Sequence, residues 1–335
     1  MGSASPDTGL TVLSPRNLQV FQRVSRDHGY VIVSGRVKPG CDRVEVRITG
    51  TSLKGPLAGE WQPVSVSGKV QGFSAILPTT SGGWYEVRVR AMMGGEVVAE
   101  AVVEQVGVGE VFVGAGQSNA TNCGQFPTTQ TSGMVSSFSG SDWRIADDPQ
   151  PGCHDGTEGG SFWPAFGDAM FAKYGVPIGV AVTGHGGTSV DEWQPHGELF
   201  NWMMARIWQL GPLGFRGLLW HQGETDVAMS ADEYAGKLAR VIEVSNAAAG
   251  WEFPWFVAKV SYHSPEAPSH PTTRKAHQRL WDEGIALEGP DTDILDGDHR
   301  DFDGLGIHFS PKGCKAHGEM WTEKVAAYLD EALGG

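Results

Sequence analysis

The chain has 335 residues, enough for about two domains of ordinary size. It is 40% hydrophobic and 10% aromatic, which allows sizeable cores, and it carries a net charge of -14 with a pI near 5.2. So acidic a chain repels phosphate backbones and anionic lipid, which excludes nucleic acid and membrane surfaces as expected partners, and it has no run of about 18 apolar residues to span a bilayer.

The opening MGSASPDTGL lacks the basic and apolar regions of a signal peptide. It reads as an expression scar ahead of a trimmed mature chain, which makes a secreted or periplasmic location the expectation and a native cytosolic start the alternative. The four cysteines, Cys41, Cys123, Cys153 and Cys314, form no C-x-x-C pair, so a zinc ribbon or redox motif is not indicated. Cys123 and Cys153 fall in one Gly-, Pro- and Ser-rich stretch. A loop-stapling disulfide and two free buried thiols are both open readings there.

The first third reads as β. Segments 43–49 and 84–90 alternate polar and apolar residues, the period of a half-buried strand, and 30–37, 73–77 and 97–106 add strand candidates. Short strands punctuated by turn residues, with no helical pattern, predict a small all-β sandwich over residues 9–107.

From residue 108 to 335 strands alternate with helices. Apolar strands are expected at 111–115, 177–183, 215–220, 255–261 and 293–295. Helices are expected at 161–174, 198–209, 230–249, 272–284 and 311–333. Ser230 with Glu233 spells a capping box: the hydroxyl accepts from a free backbone N–H and the carboxylate reaches back. The alternation predicts an α/β domain, a flavodoxin-like three-layer α/β/α arrangement with a five-stranded parallel sheet. Ligands of such sheets bind beyond the carboxyl ends of the strands.

Four segments fall at that edge. Gly116-Gln117-Ser118-Asn119 exposes a hydroxyl on a glycine-flanked turn, though a serine there also suits a helix cap. Gly184-His185-Gly186-Gly187-Thr188-Ser189 can aim backbone N–H groups at a developing anion, or serve as a plain flexible loop. Trp220-His221-Gln222-Gly223-Glu224-Thr225-Asp226 clusters an amide, acids and an imidazole, and the Asp301–Ser310 segment sets His308 among acids. Each has an ordinary structural reading alone; their convergence on one edge argues for chemistry.

These blocks, Gly-Gln-Ser-Asn, Gly-Gly-Thr-Ser-x-x-x-Trp, Trp-His-Gln-Gly-Glu-x-Asp and Ile-His-Phe-Ser, resemble in order and spacing the sialate O-acetylesterase branch of the SGNH-hydrolase superfamily. Acetylxylan esterases of carbohydrate esterase family six are similar. The resemblance covers residues 108–335 and implies a serine esterase that removes acetyl groups from an acetylated polysaccharide or sialic acid, with no cofactor and no metal. It implies Ser118 as nucleophile, His308 as general base, and an oxyanion hole of the Ser118 and Gly186 backbone N–H groups with the Gln222 side chain.

One position departs from the family pattern. The superfamily places an Asp three residues before the His, where this chain has Leu305. Asp303 lies five before and Asp301 seven before. A bulge at Gly304 and Gly306 would bring Asp303 to the imidazole, making it the favoured third member, with Glu224 or a backbone carbonyl as alternatives. Arg274 and Gln278 match a recurring Arg-x-x-x-Gln pattern and read as structural supports. Trp163, Trp193, Trp220, His185 and His154 lie near the motif loops as candidate substrate contacts, with packed or solvated roles equally open. The acidic run Asp291, Asp293, Asp296, Asp298 lacks the spacing of a calcium loop and reads as a solvated turn. An esterase for another acyl or methyl ester, or an inactive carbohydrate-binding protein on the same frame, are the competing readings.

Overall fold

The computed structural model describes residues 9–334, so the opening segment read as a scar lies almost wholly outside the described residues. The chain divides into two compact units, one running through Glu110 and including Gly175–Pro177, the other holding Val111–Tyr174 and everything from Ile178 onward.

The first unit is built of strands. His28–Val37 pairs antiparallel with Leu10–Ser14 and with Gly72–Thr80. Arg43–Thr49 pairs antiparallel with Gln62–Ser67 and Gly82–Met93, which in turn pairs with Glu96–Gly116. Along His28–Val37 and Arg43–Thr49 every second side chain is buried, as the alternation in the sequence requires. Those inward positions, Val31, Val33, Val44 and Val46 among them, form one apolar core with Val87, Val89 and Tyr85 of Gly82–Met93 and with Phe73. Gln19–Gln22 runs parallel to Val106–Gly109, so the unit is not wholly antiparallel.

The second unit is mixed α/β. Its sheet runs in the order Trp143–Ile145, Val135–Phe138, Ile178–Val182, the end of Glu96–Gly116, Gly217–His221, Trp255–Lys259, Leu287–Asp291. Pairing is parallel between Val135–Phe138 and Ile178–Val182, and through the last four strands. Trp143–Ile145 is an antiparallel edge. The interior strands Ile178–Val182 and Gly217–His221 are buried at every position, which is why they read as continuous apolar runs without alternation.

Two features differ from expectation. The hairpin of Val135–Phe138 and Trp143–Ile145 lies in a stretch whose Ser and Gly content hid it. The segment 293–295 is not a strand: Thr292–Ile294 is a 3₁₀ turn, and the strand before it, Leu287–Asp291, takes the edge. That turn is fixed by Asp293, whose buried carboxylate accepts from Ser261 N (2.7 Å), Ser261 Oγ (2.6 Å) and Tyr262 N (2.9 Å) and pairs with Arg274 at 2.8 Å. Asp293 is therefore a buried clamp, in contrast to the solvated turn expected of the acidic run.

Among the described residues five helices of three turns or more complete the unit: α1 Trp163–Tyr174, α2 Glu198–Leu210, α3 Ala231–Ala249, α4 Pro271–Asp282 and α5 Pro311–Ala332. Ser230 caps α3 by accepting from Glu233 N (3.2 Å), and Gly250 ends it in the left-handed region at φ 85°. Ser310 caps α5 by accepting from Gly313 N, which fixes the chain two residues after His308.

Candidate active site

Strand Glu96–Gly116 and strand Gly217–His221 end side by side, with Gly116 opposite His221. A Cβ on Gly116 would sit 2.1 Å from His221 O, and its φ is +130°, so only glycine permits the chain to turn here. Gln117 N then donates to His221 O (2.9 Å), and Ser118–Ala120 forms a single 3₁₀ turn held by Thr121 Oγ1 on Ser118 O. Ser118 thus lies at the carboxyl end of a central strand, on a rigid corner.

A cavity of about 380 Å³ opens at this edge. Gln117, Ser118, Cys123, Gly186, Gly187, Glu224, Thr225, His263, Ile307 and His308 line it. The four sequence blocks therefore meet at one site, and the expected nucleophile and base face the same space.

The acid beside His308 is Asp301. Its Oδ2 lies 3.6 Å from His308 Nδ1, its Oδ1 accepts from His308 N (3.1 Å), and its own N donates to His308 O (3.0 Å). Asp301 is buried, while Asp303 is exposed. The favoured placement of Asp303 is corrected for a backbone reason. Residues 302 and 303 take left-handed conformations (φ 50° and 58°), Gly304 follows at φ 89°, and the chain reverses so that Arg300 bridges Phe309. The reversal sets position 301 against position 308 and turns 303 outward. Gly306 makes it possible: a Cβ there would fall 1.7 Å from Asp301 Oδ1.

Glu224 does not touch His308. Its Oε1 accepts from Asn119 Nδ2 (3.0 Å) and contacts His221 Nε2 (3.3 Å), and its Oε2 has no partner among the described residues. Burial works to raise its pKa, but the hydrogen bond and charge of His221, with the Asn119 amide, outweigh burial and hold the carboxyl below its usual range. Behind it, Trp321 Nε1 donates to His317 Nε2 (2.9 Å), so that nitrogen is an acceptor and His221 Nδ1, 3.0 Å away, donates to it. Asn119 Nδ2 also reaches Ile307 O (3.3 Å), joining the Ser118 turn to the His308 loop. Glu224 is thus a brace beneath the site.

Gln222, expected to stabilise an oxyanion, is fully buried and absent from the cavity wall. Its Nε2 donates to Asp226 Oδ2 (2.5 Å), Thr188 O (3.0 Å) and Gln117 Oε1 (3.2 Å), and its Oε1 accepts from Tyr234 OH (2.7 Å). No donor is left for a ligand. The Gly186 N–H, expected in the same role, does face the cavity region but donates to Asp155 Oδ2 at 2.7 Å.

The residue that sequence reasoning passed over is Gln117. Its Oε1 accepts from Gln222 Nε2, Gly223 N (3.3 Å) and Thr225 N (3.2 Å), while its Nε2 has no partner among the described residues. Three donors on one oxygen fix the amide orientation and leave the NH₂ group for the cavity that Gln117 lines. Its place next to Ser118 was the available signal.

Trp163, Trp193 and Trp220 are core residues. Trp163 packs its ring over Gly114 and donates to Ala120 O (3.1 Å); Trp193 stands edge-on to Trp220 and donates to Thr188 Oγ1 (3.0 Å). His185 pairs with His154 through their Nδ1 atoms at 2.7 Å and does not line the cavity. Arg274 pairs with Asp291 and Asp293, and Gln278 accepts from Lys259 Nζ (2.6 Å), both structural contacts. All four cysteines are free thiols. Cys123 accepts from Thr121 Oγ1 and Cys153 from Asn122 Nδ2, and burial raises the pKa of both, which leaves them poor nucleophiles.

Residues 108–327 match a family described as carbohydrate esterase, sialic acid-specific acetylesterase. No curated protein matches the chain. Among solved structures, a carbohydrate acetylesterase from Xanthomonas citri aligns over 97% of this chain and 76% of its own at 20% identity, with a TM-score of 0.63. A protein from Arabidopsis thaliana aligns over 66% of this chain and 98% of its own at 19% identity, with a TM-score of 0.53.

Proposed function

Since the chain belongs to the carbohydrate esterase, sialic acid-specific acetylesterase family, we propose that it hydrolyses O-acetyl esters of a carbohydrate through an acetyl-Ser118 intermediate. The observation that carries this reading is the meeting of Ser118 and His308 on one cavity wall with the Asp301 carboxylate against the far nitrogen of the imidazole.

In this reading His308 Nε2 takes the Ser118 proton as Oγ attacks the acetyl carbonyl, and returns it to the departing sugar oxygen. Water repeats the attack on the acetyl-serine with His308 again as base. Asp301 holds His308 Nδ1–H and steadies the imidazolium; its 3.6 Å approach is an ion-pair distance that substrate binding would tighten. The oxyanion falls to the Ser118 backbone N–H and Gln117 Nε2, donors at the cavity wall without a partner among the described residues. The cavity has room for an acetyl group and part of a sugar ring, and amide, hydroxyl and imidazole groups stand on its wall among apolar surface.

Acetate release from acetylated xylan, acetylated sialic acid and 4-nitrophenyl acetate tests the reading, with Ser118→Ala as the blank. Hydrolysis that survives Ser118→Ala would refute it.

A further inference from the structure

We propose that this site selects neutral O-acetylated sugars and discriminates against esters that carry a carboxylate, sialic acids among them. The inference rests on the esterase reading above and names the charge class of its substrate.

A carboxylate is recognised by a cationic fork or point charge aimed into the pocket. Among the described residues no Lys or Arg lines this cavity. The nearby guanidinium, Arg300, is buried and turned away. Its Nε donates to Leu295 O (2.5 Å), its terminal nitrogens donate to Ile307 O (2.9 Å) and Thr292 O (3.0 Å), and its plane lies between Tyr262 and Phe309. It offers a ligand nothing. Arg274 is likewise committed, to Asp291 and Asp293.

Carboxylates stand where a cation would be needed. Glu224 is on the wall, held in its ionised form by His221 and Asn119. Asp155 lies behind Gly186: its Oδ2 takes the Gly186 N–H, and its Oδ1 takes Thr157 N (3.2 Å) and Oγ1 (2.9 Å). A Cβ on Gly186 would lie 3.3 Å from that carboxylate and 3.5 Å from Ser118 Cβ, so Gly186 adjoins both residues. Asp301 stands beyond His308. One buried Arg and the His221–Glu224 contact offset part of this charge. The chain's net charge of -14 adds in the same sense.

The test compares kcat/KM for three esters at pH 8. They are an acetylated xylotriose, an O-acetylated sialic acid, and the methyl ester of that same acetylated sialic acid. The methyl ester and the xylotriose should exceed the free acid by tenfold or more. That gap should narrow as salt is raised from low to about 0.5 M, since charge repulsion is screened, and narrow again in Asp155→Asn, which removes a charge while keeping a carbonyl for Gly186 N. A free acid hydrolysed as well as its methyl ester, or better, overturns the proposal. Loss of all turnover, 4-nitrophenyl acetate included, would instead refute the esterase reading. Titration calorimetry of the neutral and acidic sugars against the protein then still decides the charge preference: equal or tighter binding of the acid overturns it.

Discussion

Asp301 Oδ2 stands 3.6 Å from His308 Nδ1 although the two residues are seven apart, because a left-handed turn at Phe302 and Asp303 folds the intervening chain back on itself. Strain of this kind costs on the order of 1–3 kcal/mol per residue and persists only where the surroundings enforce it. Here Arg300, anchored on three carbonyls, and the capped start of α5 enforce it from both sides.

Asp301→Asn should lower kcat for a small acetyl ester by roughly 10³- to 10⁴-fold, the scale on which a serine-histidine site suffers when its orienting acid is lost. Asp303→Asn should leave kcat within about twofold, since that carboxylate is exposed and points away. Steady-state rates on 4-nitrophenyl acetate separate the two. Equal losses would mean that the loop rearranges on binding substrate.

Gly306→Ala tests the turn itself. Its Cβ would meet Asp301 Oδ1 at 1.7 Å and must displace the acid. The expected result is a fall in kcat close to that of Asp301→Asn with near-native circular dichroism. Unchanged activity would show that Asp301 is not needed where it stands.

Gln117, to which the sequence assigned no role, keeps an amide NH₂ group on the cavity wall, while Gln222, expected in the oxyanion hole, is bonded up in the interior. Gln117→Glu keeps the oxygen that Gly223 N and Thr225 N hold and puts an acceptor in place of the free NH₂ group. It should lower kcat by about 100- to 1000-fold, the cost of an oxyanion donor. Gln222→Ala takes one hydrogen bond each from Asp226 and Tyr234, which keep Val190 N and the backbone O of residue 222, leaves Thr188 O without its donor at about 1–3 kcal/mol, and opens a void in the interior. Thermal melting should therefore report a large loss of stability in Gln222→Ala and a small one in Gln117→Glu. The reverse pattern would return Gln222 to the oxyanion hole.

Burial holds His277 neutral, with its pKa lowered to about 3, and lowers that of His317 well below the ordinary value. In the unfolded chain both titrate near 6.5. Between those limits the unfolded state binds more protons than the folded one, so stability is full above about pH 6.5 and falls as pH drops towards 3. Glu224, whose carboxyl is held low, adds to the loss further down, below its unfolded value. Urea midpoints measured from pH 7 to pH 4 should decline steadily. A flat profile would contradict neutral burial of these imidazoles.

Local pattern made much of this molecule readable. Period-two alternation at 28–37 and 43–49 marks strands with one buried face, and the all-apolar runs at 178–182 and 217–221 mark interior parallel strands. Glycines at strand ends marked the corners where Ser118 and Gly186 now stand. What was not readable depends on long-range partners. Asp293 reads as a surface acid until Ser261 and Arg274 are folded onto it. Trp163 and Trp193 lie near the motif loops in sequence and inside the core in space, as large rings usually do. The placement of Asp301 rather than Asp303 beside His308 depends on two non-glycine residues at positive φ, which neither composition nor spacing announces.

Covalent capture is the most direct measure of the central claim that Ser118 is the nucleophile activated by His308. A fluorophosphonate probe should attach once per chain, on the peptide that contains Ser118, with labelling absent in Ser118→Ala and strongly slowed in His308→Ala. Attachment at another residue, or native protein that hydrolyses acetyl esters while remaining unlabelled at Ser118, would contradict it.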